Sequence, residues 1–248
     1  MTKRVALITG GTGGIGSAIC RELAAMGHTV VAGYYPPEKE SSELWQQRKK
    51  DKGFEIALVP MDVASFDDCQ RAISEISEKY GSVDILVNCA GITRDGTVKK
   101  MSEENWQAVM STNLDSVFHV TRHVINGMLE KGWGRIINVA SVNGQRGQFG
   151  QANYASAKAG MHGFTMAVAL ETAAKGITVN TVSPGYVATA MTEAMPENVL
   201  EAIINSVPMR RMGKPEEIAH AVCWLASEDN AYTTGANIPV NGGLFTSH

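Results

Sequence analysis

The chain offers little to a metal ion or to a disulfide framework. Its four cysteines, Cys20, Cys69, Cys89 and Cys223, are scattered without a C-x2-C pair, which predicts free thiols in a reducing cytoplasm. Its six histidines show no H-x3-H or H-E-x2-H spacing, so no metal site is expected. No apolar run reaches the length of a membrane span. The opening MTKRVALITGG starts like a targeting signal but soon breaks into glycines, and reads as a first strand. Strong charge of one sign is missing too. The formal net charge is −3, which argues against a surface for nucleic acid or acidic lipid. No Pro/Ser linker and no internal repeat divides the chain, so one domain over residues 1–248 is expected.

Glycine is plentiful, and it falls where a strand meets a helix. Residues 5–9 are short, β-branched and apolar. They run into Gly10–Gly16 and then a helical pattern to Ala25. Strand, glycine-rich turn and helix together make a phosphate site: the helix N-terminus offers unpaired N–H groups, and glycines let the backbone approach. Two registers fit, one on Gly11, Gly13 and Gly16, the other on Gly10, Gly14 and Gly16. The second puts Thr9 at the strand end and is preferred.

The same alternation continues. Strands are predicted at 28–34, 55–59, 83–88, 134–139, 177–183 and 238–240. Helices are predicted at 44–52, 66–80, 102–131 with a break near Asn113, 153–175 and 215–227. The pattern predicts an α/β fold: a Rossmann-like, doubly wound parallel sheet of about seven strands with helices on both faces. Ligands then sit at the carboxyl ends of the strands. Thr9–Gly16, Asp62, Asn88–Gly91, Ser141 and Pro184-Gly185 all follow predicted strands.

The chemistry centres on Ser141, Tyr154 and Lys158. Residues four apart on a helix share a face, so the Tyr154 phenol and the Lys158 ammonium project into one space. A nearby ammonium lowers a phenol's pKa towards a useful range. A serine hydroxyl beside it can hold a carbonyl oxygen. These parts suit proton delivery to a carbonyl.

With those residues in place, the sequence resembles the short-chain dehydrogenase/reductase family over essentially its whole length. The resemblance rests on Thr9, Gly10, Gly14, Ile15 and Gly16; Asp62; Asn88, Ala90 and Gly91; Asn113; Ser141; Tyr154 and Lys158; and Pro184-Gly185. One departure is Cys89, where the family usually has asparagine. That puts a local hydrogen bond in question.

The family implies Tyr154 as general acid and Lys158 as its modulator and a holder of the nicotinamide ribose. It implies Ser141 on the substrate oxygen, and Asn113 holding a water that relays protons to Lys158. It also implies a dinucleotide lying over Thr12, Gly33, Tyr34, Val63 and Val187, besides the motif residues. A homotetramer packed through residues 102–131 and 153–175 is the implied assembly, in the cytoplasm.

Within the family, the stretch leading to Tyr154, the Ile92–Asp95 segment and the Ser183–Tyr186 segment look like acetoacetyl-CoA reductases of polyhydroxybutyrate synthesis. That implies an acyl-CoA surrounded by Asp95, Lys100, Gln148, Phe149, Gln151 and Tyr186. Residues 187–212, rich in methionine, are expected to form a substrate lid or else a fixed helical hairpin. The alternative substrate is an acyl-carrier protein, an acidic partner that needs exposed basic residues. Trp133 stands where such enzymes carry a basic residue, whereas Lys175 keeps a charge at another docking position. A non-catalytic dinucleotide-binding module is the reading from another class. On the cofactor, the relatives imply NADPH. Yet the second strand ends without a cation, and the following loop sets Lys39 between Glu38 and Glu40. Use of both nucleotides, or a lean to NADH, is expected.

Overall fold

A computed structural model describes residues 2–189, 192 and 196–246. Seven parallel strands form one sheet in the order β3-β2-β1-β4-β5-β6-β7. They are β1 (Val5–Ile8), β2 (Thr29–Tyr34), β3 (Ile56–Pro60), β4 (Ile85–Asn88), β5 (Gly134–Val139), β6 (Ile177–Pro184) and β7 (Asn237–Val240). The chain winds outward from β1 to β3, then returns to place β4 on the other side of β1. Loops after β1 and β4 therefore diverge to opposite faces and leave a crevice between them.

Side-chain alternation along each strand feeds two cores. On β1, Ala6 and Ile8 join one apolar cluster while Val5 and Leu7 join the other. The first cluster is covered by α1 (Gly14–Ala25) and by a helix over Pro215–Ala226, through Ile19, Leu23, Ile218 and Val222. The second is covered by α3 (Phe66–Tyr80) and α5 (Ser116–Lys131), through Ile73, Ile76, Val120 and Val124.

Between them, α2 spans Lys39–Lys50, so it begins five residues before the predicted 44–52 helix. Pro36 starts a 3-10 turn that feeds it. The expected break near Asn113 is a π-helical turn, Ser111–Asp115, set between α4 (Glu103–Met110) and α5. After β5 a short helix α6 (Asn143–Arg146) leads into α7 (Ala152–Thr172). The segment expected as a lid contains α8 (Glu197–Ser206), none of whose residues is buried; the Pro215–Ala226 helix is α9. Met191 and Met195 lie outside the described residues. Among the described residues no helix is long and apolar enough to cross a membrane, and no cluster of side chains could hold a metal ion.

Candidate active site

The glycine loop is tied to its neighbours by backbone chemistry. Gly10 has φ +62°, and a Cβ there would stand 2.9 Å from the Ala90 Cα. A Cβ on Gly16 would collide with the Gly10 carbonyl oxygen, whereas one on Gly13 would meet only that oxygen, at 3.4 Å. A Cβ on Gly14 would press on Thr189 at 2.7 Å. The close-packed positions therefore include Gly10, Gly14 and Gly16, which favours the second register. Gly11 is also tight: its N–H donates to the Gly33 carbonyl at 2.9 Å. The Thr9 hydroxyl accepts from the N–H groups of Cys89 (3.0 Å) and Ala90 (3.1 Å). The bond at the atypical Cys89 uses its backbone, so it does not depend on the side chain.

The loop after β3 is similarly organised. Asp62 accepts from the Ala64 N–H with Oδ1, and its own N–H donates to Asp68. The Val63 carbonyl lies 3.1 Å from His119 Nδ1 on α5. A cradle without Cβ atoms at a helix N-terminus, next to carboxyl ends carrying Gly33, Tyr34, Asp62 and Val63, fits an extended dinucleotide.

Beyond the crevice lies the reacting end. Ser141 follows β5 and its Oγ accepts from the Asn143 N–H at 3.1 Å. Tyr154 sits in the first turn of α7, where Asn153 Oδ1 caps its N–H at 2.8 Å. Lys158, fully buried one turn on, donates to the Val139 carbonyl at 2.8 Å and lies 5.7 Å from the centre of the Tyr154 ring. The Asn113 amide is spent on Ile92, accepting from its N–H and donating to its carbonyl, both at 2.8 Å. A Cβ on Gly91 would touch Asn113 Oδ1 at 2.9 Å and approach Lys158 Nζ at 3.6 Å. All four expected catalytic residues thus converge at one sheet edge.

The electrostatics differ from the expectation. Burial pushes the Tyr154 phenol up from its ordinary value, and hydrogen bonding with Ser141 opposes this. Burial also pushes Lys158 down to about 8, with Cys89 acting weakly the other way. For both groups desolvation by burial is the largest influence.

The expected substrate residues divide. Gln151 Nε2 donates to both Asp95 oxygens (3.1 and 3.0 Å), and its Oε1 accepts from Asn143 Nδ2 at 3.0 Å. Asn143 in turn holds Ser141, so Asp95 and Gln151 connect to the reacting end. Gln148 and Phe149 project on the same loop, Phe149 being 87% exposed. Lys100 is exposed in the turn before α4, outside this hydrogen-bonded chain. Tyr186 lines a separate cavity of about 350 Å³ with Met209, Arg211 and Glu217. Pro184 and Gly185 end β6; Val187 pairs with Gly213 across a single bridge. The sequence reading missed Asn143 and Asn153, whose amides orient Ser141, Gln151 and Tyr154.

Trp133 and Lys175 precede β5 and β6. They therefore lie at the amino edge, opposite the site. Trp133 is held there between Arg4 (3.8 Å) and Arg135 (4.5 Å). Neither residue borders the mouth of this chain's own site.

A sequence model of short chain dehydrogenases matches residues 4–200. The chain is 62% identical over 242 residues to an acetoacetyl-CoA reductase of Allochromatium vinosum, covering 98% of each. It is 52% identical to the acetoacetyl-CoA reductase of Cupriavidus necator, over 98% of this chain and 99% of that one. To a 3-oxoacyl-(acyl-carrier-protein) reductase of Pseudomonas aeruginosa it is 43% identical, over 98% of each. With the parallel sheet, the glycine loop and the Ser141, Tyr154 and Lys158 grouping in place, the chain belongs to the short-chain dehydrogenase family.

Proposed function

We propose that the chain reduces the 3-keto group of acetoacetyl-CoA to (R)-3-hydroxybutyryl-CoA. The observation that carries this reading is the hydrogen-bonded run from Asp95 through the Gln151 and Asn143 side chains and on, by the Asn143 backbone N–H, to Ser141. It joins a polar loop suited to a thioester arm with the hydroxyl that faces the carbonyl. The higher identity to acetoacetyl-CoA reductases than to the carrier-protein enzyme supports the same choice.

A nicotinamide dinucleotide fits the glycine cradle, held by Thr12, Ile15, Asp62, Ala90 and the other edge residues. When bound, it supplies the hydride. Tyr154 gives its phenolic proton to the 3-keto oxygen, while Ser141 donates a hydrogen bond to that oxygen. Lys158 holds the ribose hydroxyls and favours the phenolate left on Tyr154. The Asn113 side chain ties Ile92 in place, and Asn113 with the backbone of the widened π-turn holds a water that feeds protons to Lys158.

The nucleotide is NADH or NADPH without strong discrimination. The cation expected near the 2′ position, Lys39, opens α2, where it pairs with Glu43 at 3.8 Å, and Glu38 and Glu40 flank it. A 2′-phosphate is poorly served there. Residues 187–212 close over the acyl-CoA. The chain works as one domain, in the cytoplasm, and assembles as a homotetramer through α4, α5 and α7, which expose Trp106, Phe118, Met166 and Leu170.

The test compares acetoacetyl-CoA with acetoacetyl-carrier-protein, each with NADH and with NADPH. The expected result is a higher kcat/KM for the CoA thioester and less than ~100-fold discrimination between nucleotides, or about 2.7 kcal/mol. A preference for the carrier protein would transfer the chain to fatty-acid synthesis. Cofactor binding without any oxidation would make it a binding module.

A further inference from the structure

Four polar side chains form one continuous hydrogen-bonded row inside the molecule. Asn88 Nδ2 at the end of β4 donates to Asn138 Oδ1 on β5 at 2.8 Å. Asn138 Nδ2 donates to Thr165 Oγ1 on α7 at 2.9 Å, and Thr165 Oγ1 lies 2.7 Å from Thr181 Oγ1 on β6. All four are buried, Asn138 and Thr181 completely. Three adjacent strands are thereby pinned to the helix that carries Tyr154 and Lys158.

Thr165 is placed to fix that helix. At 3.6 residues per turn it lies about 20° to one side of Lys158, seven residues back, and about 20° to the other side of Tyr154, eleven back. All three point to nearly the same azimuth. Besides these, the inner face buries Asn153, Ala157, Met161, Ala169 and Thr172, with Phe164 and Val168 packed alongside. Apolar contact is non-directional, so the rotation of the helix is set chiefly by hydrogen bonds: Asn153 to Arg94 and Asn105 in its first turn, Lys158 to Val139, and Thr165 in its middle. Hydrogen bonds between buried partners have narrow geometry. General acid catalysis loses rate when groups shift by even an ångström.

The geometry points to Asn138, Thr165 and Thr181 as positioning residues that set the rotation and height of α7, and so hold Tyr154 and Lys158 in register with Ser141 and the Asn88 edge. This rests on the reading of Tyr154 and Lys158 as the catalytic pair.

Thr165→Val keeps the shape and removes the hydroxyl. Its kcat should fall by at least ~10-fold, the scale expected for a small misplacement. Its KM for the nucleotide should change by less than ~3-fold, because the glycine cradle is untouched, and Thr165→Ser should recover most of the lost kcat. If the row is only structural, Thr165→Val will lower the melting temperature while folded enzyme turns over at the parent rate. That outcome overturns the proposal, as would equal loss in the valine and serine variants. Should Thr165→Val not fold, Thr181→Val breaks only the last link; ~3-fold loss of kcat supports the proposal, and an unchanged kcat overturns it. Failure of the underlying catalytic reading is separate: Tyr154→Phe would then turn over normally.

Discussion

Tyr154→Phe tests the acid most directly. The phenyl ring preserves packing in the first turn of α7 and removes the phenolic proton given to the carbonyl. Turnover should drop at least ~100-fold while nucleotide binding persists. Steady-state kinetics with a fluorescence titration of the cofactor measures both.

Lys158 sets the pH response. Its folded value of about 8 lies below the ordinary 10.5, and Tyr154 lies above its own ordinary value. As pH rises, Lys158 is therefore deprotonated first. Reductive kcat/KM, which reports free-enzyme groups, should fall as pH passes through about 8. A profile flat from pH 6 to 9.5 would remove the ammonium from the mechanism. The same shift has a stability consequence. Between about 8 and 10.5 the unfolded chain binds more protons than the folded one, so stability rises with pH across that window. Below it the full cost of burying the charge is present, ~3 kcal/mol at one pKa unit per 1.36 kcal/mol. Lys158→Met should accordingly raise the melting temperature at pH 7, less the contribution of the lost bond to Val139, and the gain should shrink towards pH 10.5. Urea melts at both pH values provide the comparison.

At the scale of elements, the strands were the legible part. Each strand of the sheet is a short apolar run bounded by glycine or a polar turn, and only the ends shifted by a residue or two. The α2 start was not legible, because Lys39-Glu40-Ser41-Ser42 has no apolar face to show a 3.6-residue period. The motif residues of the site were legible because the glycine loop, Asp62, Asn88 to Gly91, Ser141 and Pro184-Gly185 stand at strand ends and Tyr154 and Lys158 keep a one-turn helical spacing. Asn138, Thr165 and Thr181 were not: singly they look like ordinary polar residues of strands and a helix, and their pairing exists only once β4, β5, β6 and α7 are side by side. Asn143 escaped for the same reason, its partners Ser141 and Gln151 being joined by a loop whose path sequence does not fix.

The segment 187–212 gives the prediction at this scale. Its feet are clasped, with Gly213 N–H donating to the Tyr186 carbonyl and Ala188 N–H to the Gly213 carbonyl, both at 2.8 Å. Arg211 and Glu217 pair at 2.7 Å beside that clasp. Between the feet, α8 buries none of its residues. Weak burial with firm ends suits closure over a ligand. Amide exchange in 197–206 should slow at least ~10-fold when cofactor and acetoacetyl-CoA are both bound, the shift expected when local opening is suppressed. Identical protection with and without ligands would instead mark a fixed hairpin.

Both helical layers leave large apolar side chains exposed, Leu44 on α2 and Trp224 on α9 among them. The layer formed by α3, α5 and α7 leaves large apolar side chains outside: Phe118 on α5, and Met166 and Leu170 on α7, Leu170 being 86% exposed. Single exposed apolar residues are ordinary; several on the two long helices of one layer are what the proposed homotetramer would cover. That location matters for catalysis, because the inner face of α7 carries Tyr154 and Lys158 while its outer face carries Met166 and Leu170. Association would therefore press the catalytic helix onto the sheet from outside, complementing the hydrogen-bonded row that holds it from within. Met166→Glu with Leu170→Glu places two carboxylates on that outer face, where desolvating them on association is costly. The double variant should sediment as a smaller species than the parent chain and keep its far-UV circular dichroism, since neither side chain contributes to the core. Its kcat should fall with the loss of assembly, and the parent's specific activity should fall on dilution below the dissociation constant. An unchanged sedimentation coefficient in the double variant would place the interface elsewhere, and full activity in a dissociated species would show that α7 is held in place by the single chain alone.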